Sequence, residues 1–486
     1  MENFEKQFNQ PSPEQPENPK EKKDAPPPTA TAENEEARRL REQQDQQKIR
    51  ELREQLGIGE QKEGENFFEN LKRPYGVEDV KNFQQALATF EEKRKKENGQ
   101  YVFDYNNFYQ FLTSFRKNEG QEALPSEKEI PVNDYQELEI GIFQGWRQNL
   151  LQNQEQVLSS RPKLAEVIKT LQNEPLPKTL DELRDLYRRY PLLNDMSAVS
   201  YQEGVGEKLE KRSGFLHINM ARYNAYKYEM PEADTRIYLN PPVEAIPKLS
   251  MHLVGLAEKE KIPLYFKVID YSFQKFTPEN AGRLDKMLVY TDKENAPKLA
   301  KIIEELQVKR PQWFQGRELP NLVAPIGEGV GIAAEPSEFQ KKKFGEQGKS
   351  FNSVRALFMR EVWRDTTKDI LIANKDVKPR GGRTFQQIFN DQLKFSLAYL
   401  KLDSGTVNHY IEQAWQAGLD PEKLDPATKS NLERSLESAL LRTMQDIVPN
   451  ITPDSLATWA GRRINEKAGQ YGINPENIAL NQEAAR

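Results

Sequence analysis

His217, Lys267, Arg236, Arg283 and Arg355 are the side chains whose types and settings could do chemistry in this chain. Four of them stand in short apolar runs: Gly214-Phe215-Leu216-His217-Ile218-Asn219, Arg236-Ile237-Tyr238-Leu239-Asn240-Pro241, Tyr265-Phe266-Lys267-Val268-Ile269-Asp270 and Arg283-Leu284-Asp285-Lys286-Met287-Leu288-Val289-Tyr290. Burying a charged group costs several kcal/mol unless it meets a counter-charge, so the set points to an anion site. His217 could act as a general acid, because imidazole titrates near neutral pH. A lone strand histidine equally fits a core residue bonded to a backbone carbonyl. Lys267 has two readings as well. It is an edge-strand lysine that blocks strand addition, or a partly buried lysine whose lowered pKa suits a base.

Arginine presents a planar fork of donors that matches phosphate or carboxylate. Arg236 opens a strand whose alternation puts Tyr238 and Asn240 on its own face, as Phe215 and Asn219 share the face of His217. Arg355 lies in Ser350-Phe351-Asn352-Ser353-Val354-Arg355, where a helix is expected to start, and helix N-termini attract anions. Any one of these arginines reads as an ion-paired surface residue. The five cations together carry the anion reading. Other motifs stay with structure or solvent. Gly327-Glu328-Gly329-Val330-Gly331 lacks the spacing and the Lys-Ser/Thr of a phosphate loop, Lys341-Lys342-Lys343 reads as a solvated face, and His252 and His409 read as helical structural residues.

Composition narrows the classes. The 486 residues carry a net charge of −5, which argues against a broad nucleic-acid surface while allowing a local basic pocket. There is no cysteine, so disulfides, thiolate zinc sites and a cysteine nucleophile are excluded, and three histidines are too few for a His-rich metal cluster. No metal and no cofactor are expected. Met1-Glu2-Asn3-Phe4-Glu5 opens no apolar export signal and no stretch resembles a membrane span. The expected location is the cytoplasm, or outside the cell by a route that needs no such signal.

The elements that must position these groups divide the chain into five parts. Residues 1–33, rich in Pro and Glu, cannot bury enough apolar area to offset their ordering entropy and are expected to be disordered. Residues 34–60 read as a charged helix with a thin apolar stripe, solvated or paired with a partner. Residues 66–192 read as all-helical, with helices over Val77–Asn98, Asp104–Asn118 and Tyr135–Ser159, and a capping box at Thr179-Leu180-Asp181-Glu182. From 195 to 375 short β runs alternate with helices, including a glycine-punctuated strand at Glu328–Ala334. Residues 384–486 return to helices, with the last residues frayed. The fold class expected is therefore α+β: a small central mixed sheet with packed helices, flanked by helical regions.

The runs beginning at Arg236, Phe266 and Arg283, with Ser350–Arg355, resemble the HopA-type effector family over about residues 200–370. That family is similar to the lyase components of lanthipeptide synthetases and, more distantly, to the phosphothreonine lyases. The lyase motifs are matched here by His217, by Lys267-Val268-Ile269-Asp270 and by Arg283 with Tyr290. The chain departs at Phe215, where those lyases carry a second lysine, and this weakens phosphate gripping. The resemblance implies β-elimination of phosphate from a phosphorylated Ser or Thr of a protein or peptide. Lys267 would be the base, His217 the acid, and Arg236, Arg283 and Arg355 the phosphate grip, supported by Tyr238, Asn240, Asp270 and Tyr290. A second reading keeps the fold without catalysis, as an effector or adaptor that binds a protein or phosphopeptide partner, with the helical flanks as further partner surfaces.

Overall fold

The computed structural model describes residues 132–160, 162–201, 215–219, 233–260, 264–269, 283–345, 350–377 and 382–482, most of 71–96, 105–113, and isolated positions elsewhere. The expected disordered tail (1–33) lies outside the described residues, as do Asp270 and most of the charged helix. Contacts divide the chain into two compact units, Met1–Lys48 and Ile49–Arg486. In the first, the described positions Leu40, Gln43, Gln44 and Gln47 are helical.

In the second unit the strands are β1 (Val199–Tyr201), β2 (Phe215–Asn219), β3 (Thr235–Leu239), β4 (Tyr265–Ile269), β5 (Met287–Thr291), β6 (Ala324–Gly327) and β7 (Val330–Ala334). They form one sheet in the order β1-β2-β4-β5-β3-β7-β6. Every pairing in it is antiparallel, so the sheet is not the mixed one expected. The glycine-punctuated run at Glu328–Ala334 is not one strand but the turn and second arm of the β6–β7 hairpin. Gly329, at φ 62°, makes that turn in a region open mainly to glycine. Lys267 sits in β4, which is paired on both sides, so its edge-strand reading falls.

Helices surround the sheet. Ahead of it come α1 (Val77–Lys96), α2 (Tyr105–Thr113), α3 (Val132–Gln152), α4 (Gln154–Ser160), α5 (Ala165–Asn173), α6 (Leu180–Arg189) and α7 (Pro191–Met196). Within and after it run α8 (Ile246–Lys259), α9 (Ala296–Lys309), α10 (Glu338–Phe344) and α11 (Phe351–Ala373). The C-terminal set is α12 (Phe385–Leu397), α13 (Ser404–Gln416), α14 (Pro426–Ile447) and α15 (Pro453–Tyr471). Local sequence sets most starts: Thr179, Ser350, Thr384, Asp403, Asp425 and Thr452 each accept a backbone N–H of the first turn.

Alternation along the strands sends Leu216, Ile218, Ile237, Phe266, Val268 and Val289 to one face of the sheet, all fully buried. They join a core with Trp146 of α3, Leu249 of α8 and Ile303 of α9. A second core gathers α11 with α14, α15 and the α1–α2 pair, through residues such as Phe83, Phe108, Trp363 and Leu436. Phe83 of α1 stacks on Trp363 of α11 at 4.2 Å. The chain end is not frayed through residue 482. After Gly472 (φ 62°) it forms a hairpin of β8 (Ile473–Asn474) and β9 (Asn477–Asn481). Asn477 bridges to Arg73, the Ile478 amide donates to the Arg73 carbonyl at 3.2 Å, and the Asn481 amide donates to the Glu335 carbonyl at 2.7 Å. These partners lie far off in sequence, which is why a local reading found only an end.

Candidate functional site

Register brings the candidate residues together on the sheet face opposite the aliphatic core. His217 of β2 is paired with Lys267 of β4, Lys267 with Leu288 of β5, Tyr265 with Tyr290, and Tyr290 with Arg236 of β3. Directly opposed residues share a face with Cβ atoms about 5 Å apart. The patch therefore runs from Phe215 and His217 through Tyr265, Lys267 and Tyr290 to Arg236 and Tyr238. The N-terminus of α11 covers its far end, where Phe351 meets the Tyr238 ring edge-on at 6.1 Å.

Lys267 is partly buried, and its Nζ lies 4.5 Å from the Phe215 ring centroid and 5.9 Å from that of Tyr290. Burial, then the charge of Arg236 and to a lesser degree Arg283, lowers its pKa to about 8 against the opposing pull of Asp285 and Glu335. A free amine near neutral pH is what a proton acceptor needs. His217 is buried, and its Nδ1 is hydrogen-bonded to the Tyr265 hydroxyl. The two rings stack at 5.7 Å, and Tyr265 stacks in turn on Tyr290 at 4.9 Å.

Both arginines of the patch already hold a carboxylate. Arg283 grips Asp285 with both arms of its fork, Nε to Oδ1 at 2.8 Å and Nη2 to Oδ2 at 2.9 Å, with the guanidinium 5.2 Å from the Phe215 centroid. Arg236 pairs through Nε with Glu335, donates Nη1 to the Tyr238 hydroxyl at 3.3 Å and lies 5.1 Å from the Tyr290 centroid. Burial pulls both guanidinium pKa values down, but the carboxylates outweigh it and hold them above the usual value. Burial pushes the Tyr238 and Tyr290 hydroxyls up, so both stay protonated donors. The Tyr238 hydroxyl donates to Asn352 Oδ1 at 3.3 Å, and the Asn352 amide comes within 3.5 Å of Asp285.

Other expected site residues stand apart. Arg355 lies in the second turn of α11, 1% exposed, and turns to the C-terminal hairpin. Its Nε donates to the Ile478 carbonyl at 2.6 Å and its Nη2 to the Leu480 carbonyl at 3.1 Å. Burial, helped by Arg236, lowers its pKa to about 9. Asn240 follows β3 in the neighbouring loop, its amide donating to the Glu318 carbonyl at 2.8 Å. Among the described residues, no group of three or more His, Asp or Glu could hold a metal ion, and no helix is long and apolar enough to cross a membrane.

Residue-level reading missed Asp285, Glu335, Asn352 and Tyr265 as members of the patch. Asp285 had a local signal, since it follows Arg283 by two residues. Tyr265 had one too, being two before Lys267 and so on its face. Glu335 and Asn352 had none, because 99 and 114 residues separate them from Arg236 and Tyr238.

Comparison with known proteins gives a family and two distant structural likenesses. The effector protein from Pseudomonas syringae pv. syringae strain 61 is similar at a TM-score of 0.28 and 14% identity, over 59% of this chain and 93% of that one. The effector protein from Pseudomonas syringae pv. tomato strain DC3000 is similar at a TM-score of 0.26 and 11% identity, over 57% of this chain and 93% of that one. These likenesses are too distant to bear on activity. No curated protein matches the chain. The model of the HopA1 effector protein family matches residues 215–364, the stretch from the start of β2 to the middle of α11. Over that stretch the chain is similar to the HopA1 effector protein family.

Proposed function

We propose that the protein is an effector whose sheet face removes phosphate from a phosphorylated Ser or Thr of a partner protein by β-elimination. The observation that carries this reading is the cross-strand pair of His217 and Lys267, with the lysine pKa lowered to about 8. Neutral Lys267 takes the Cα proton of the phosphorylated residue. The Cβ–O bond breaks as the Cα–Cβ double bond forms, and His217 gives a proton to the departing phosphate oxygen. The products are a dehydro-residue and free phosphate. Arg236 and Arg283 flank the pair and supply positive charge to the leaving group. Arg355 has no part in this reading as a phosphate ligand, since it holds the C-terminal hairpin.

A second reading is favoured by a different observation. Both patch arginines are already neutralised by Asp285 and Glu335, and Phe215 fills the position of the second lysine. That suits a binding module that engages a host protein without catalysis. Mass spectrometry on a phosphothreonine peptide library separates the two. Loss of the elements of phosphoric acid, abolished by Lys267→Ala, is the outcome expected of the lyase. Loss of HPO3 alone would mean hydrolysis and overturn the mechanism. An unchanged peptide that still binds would leave the binding module.

A further inference from the structure

We infer that Tyr265 is the positioning residue for His217, holding Nδ1 so that the neutral ring carries its proton on Nε2. The observation is geometric. Tyr265 and Asn219 stand opposite each other, two residue pairs along from His217 and Lys267, so Tyr265 lies diagonally across the β2–β4 ladder from His217 on the same face. Its hydroxyl reaches Nδ1 and its ring stacks on the imidazole at 29°. Tyr290 backs the Tyr265 ring on the other strand, 4.9 Å away at 28°, which fixes the hydroxyl in place.

Which ring nitrogen of a histidine is protonated is set by the hydrogen bond the other makes. A phenol is a better proton donor than a neutral imidazole N–H, so Tyr265 donates and Nδ1 accepts, leaving the hydrogen on Nε2. A backbone carbonyl in that place would force the opposite tautomer, because a carbonyl only accepts. The hydroxyl also serves the charged ring, accepting from Nδ1–H of the imidazolium. In the proposed elimination, the imidazolium gives its Nε2 proton to the leaving oxygen, which leaves the ring briefly protonated on Nδ1 and donating to the Tyr265 oxygen. Exchange with solvent then restores the proton on Nε2. Tyr265 thus holds His217 in every protonation state without touching substrate.

This inference gains its catalytic meaning from the lyase reading, but the tautomer is measurable without substrate. The experiment is 15N NMR of the full chain labelled at histidine, recorded above the His217 titration. Only three histidines occur, and His252 and His409 serve as references for an intact fold. Expected is a non-protonated Nδ1 and a protonated Nε2 at His217, and in Tyr265→Phe a shift towards a mixture of tautomers with the ring stack kept. A wild-type His217 protonated on Nδ1 overturns the inference, and that spectrum decides it even where the variant does not fold. An identical tautomer in the wild type and a folded Tyr265→Phe overturns it too. A peptide assay without elimination sinks the lyase reading and leaves this result untouched.

Discussion

Lys267 owes its lowered pKa to burial and to two guanidiniums, and the sign of that shift makes a pH prediction. If neutral Lys267 is the base and protonated His217 the acid, the elimination rate follows a bell-shaped pH profile, one limb of which titrates at about 8 as the lysine loses its proton. Stability also depends on this lysine. Between about 8 and the ordinary value of 10.5 the unfolded chain binds more protons at this lysine than the folded one, so stability increases across that window. A rate profile that is flat from pH 7 to 9 would remove Lys267 from the base role. Arg283 gives a second test at this scale. Its fork is closed on Asp285, so Asp285→Asn, which keeps the shape and removes the charge, should tighten inorganic phosphate binding by on the order of tenfold. Calorimetric titration of both proteins reads it. Equal affinities would mean that phosphate does not meet Arg283.

At the scale of elements, β4 and β5 lie at the middle of the sheet and give the patch its rigidity, while α11 joins the two cores. One face of the α11 start meets the patch through Asn352 and Phe351. Another carries Arg355 into the β8–β9 hairpin. Replacing Arg355 by Met keeps most of the volume but strips the Ile478 and Leu480 carbonyls of their donor. Leaving buried polar groups unpaired should destabilise the protein by about 2–4 kcal/mol. Denaturant unfolding measures this, and phosphopeptide binding per folded molecule should not change. A stable variant that has lost phosphopeptide binding would instead return Arg355 to the site.

For the molecule as a whole, the closing hairpin ties segments from both ends of the second unit. Arg73 and Leu71 meet Asn477 and Ile478, Arg355 meets Ile478 and Leu480, and the Glu335 that pairs with Arg236 is held through its carbonyl by Asn481. Deleting residues 473–482 should therefore lower Tm by several degrees, on the order of 2 °C per kcal/mol lost, and loosen the Arg236–Glu335 pair. Thermal unfolding followed by circular dichroism checks the first effect. An unchanged Tm would reduce the hairpin to a surface addition.

Period-two apolar runs made β2, β3, β4 and β5 legible from sequence, because alternation that buries one face reports itself locally. The capping threonine Thr179 likewise announced its helix, needing only a side chain to reach a backbone N–H within three residues. The faces of His217 and Arg236 followed from the same alternation. Strand order and register did not, since they depend on which runs pair across long loops, and so the adjacency of His217 and Lys267 belongs to the tertiary structure. It alone decided that Lys267 is central rather than at an edge, that Arg283 and Arg236 are charge-compensated, and that Arg355 serves the chain's last strand. The physical reason is common to all three. A charge's partner is chosen by proximity after folding, and Glu335, Ile478 and the flanking strands of β4 become near only when the whole sheet and both cores have closed.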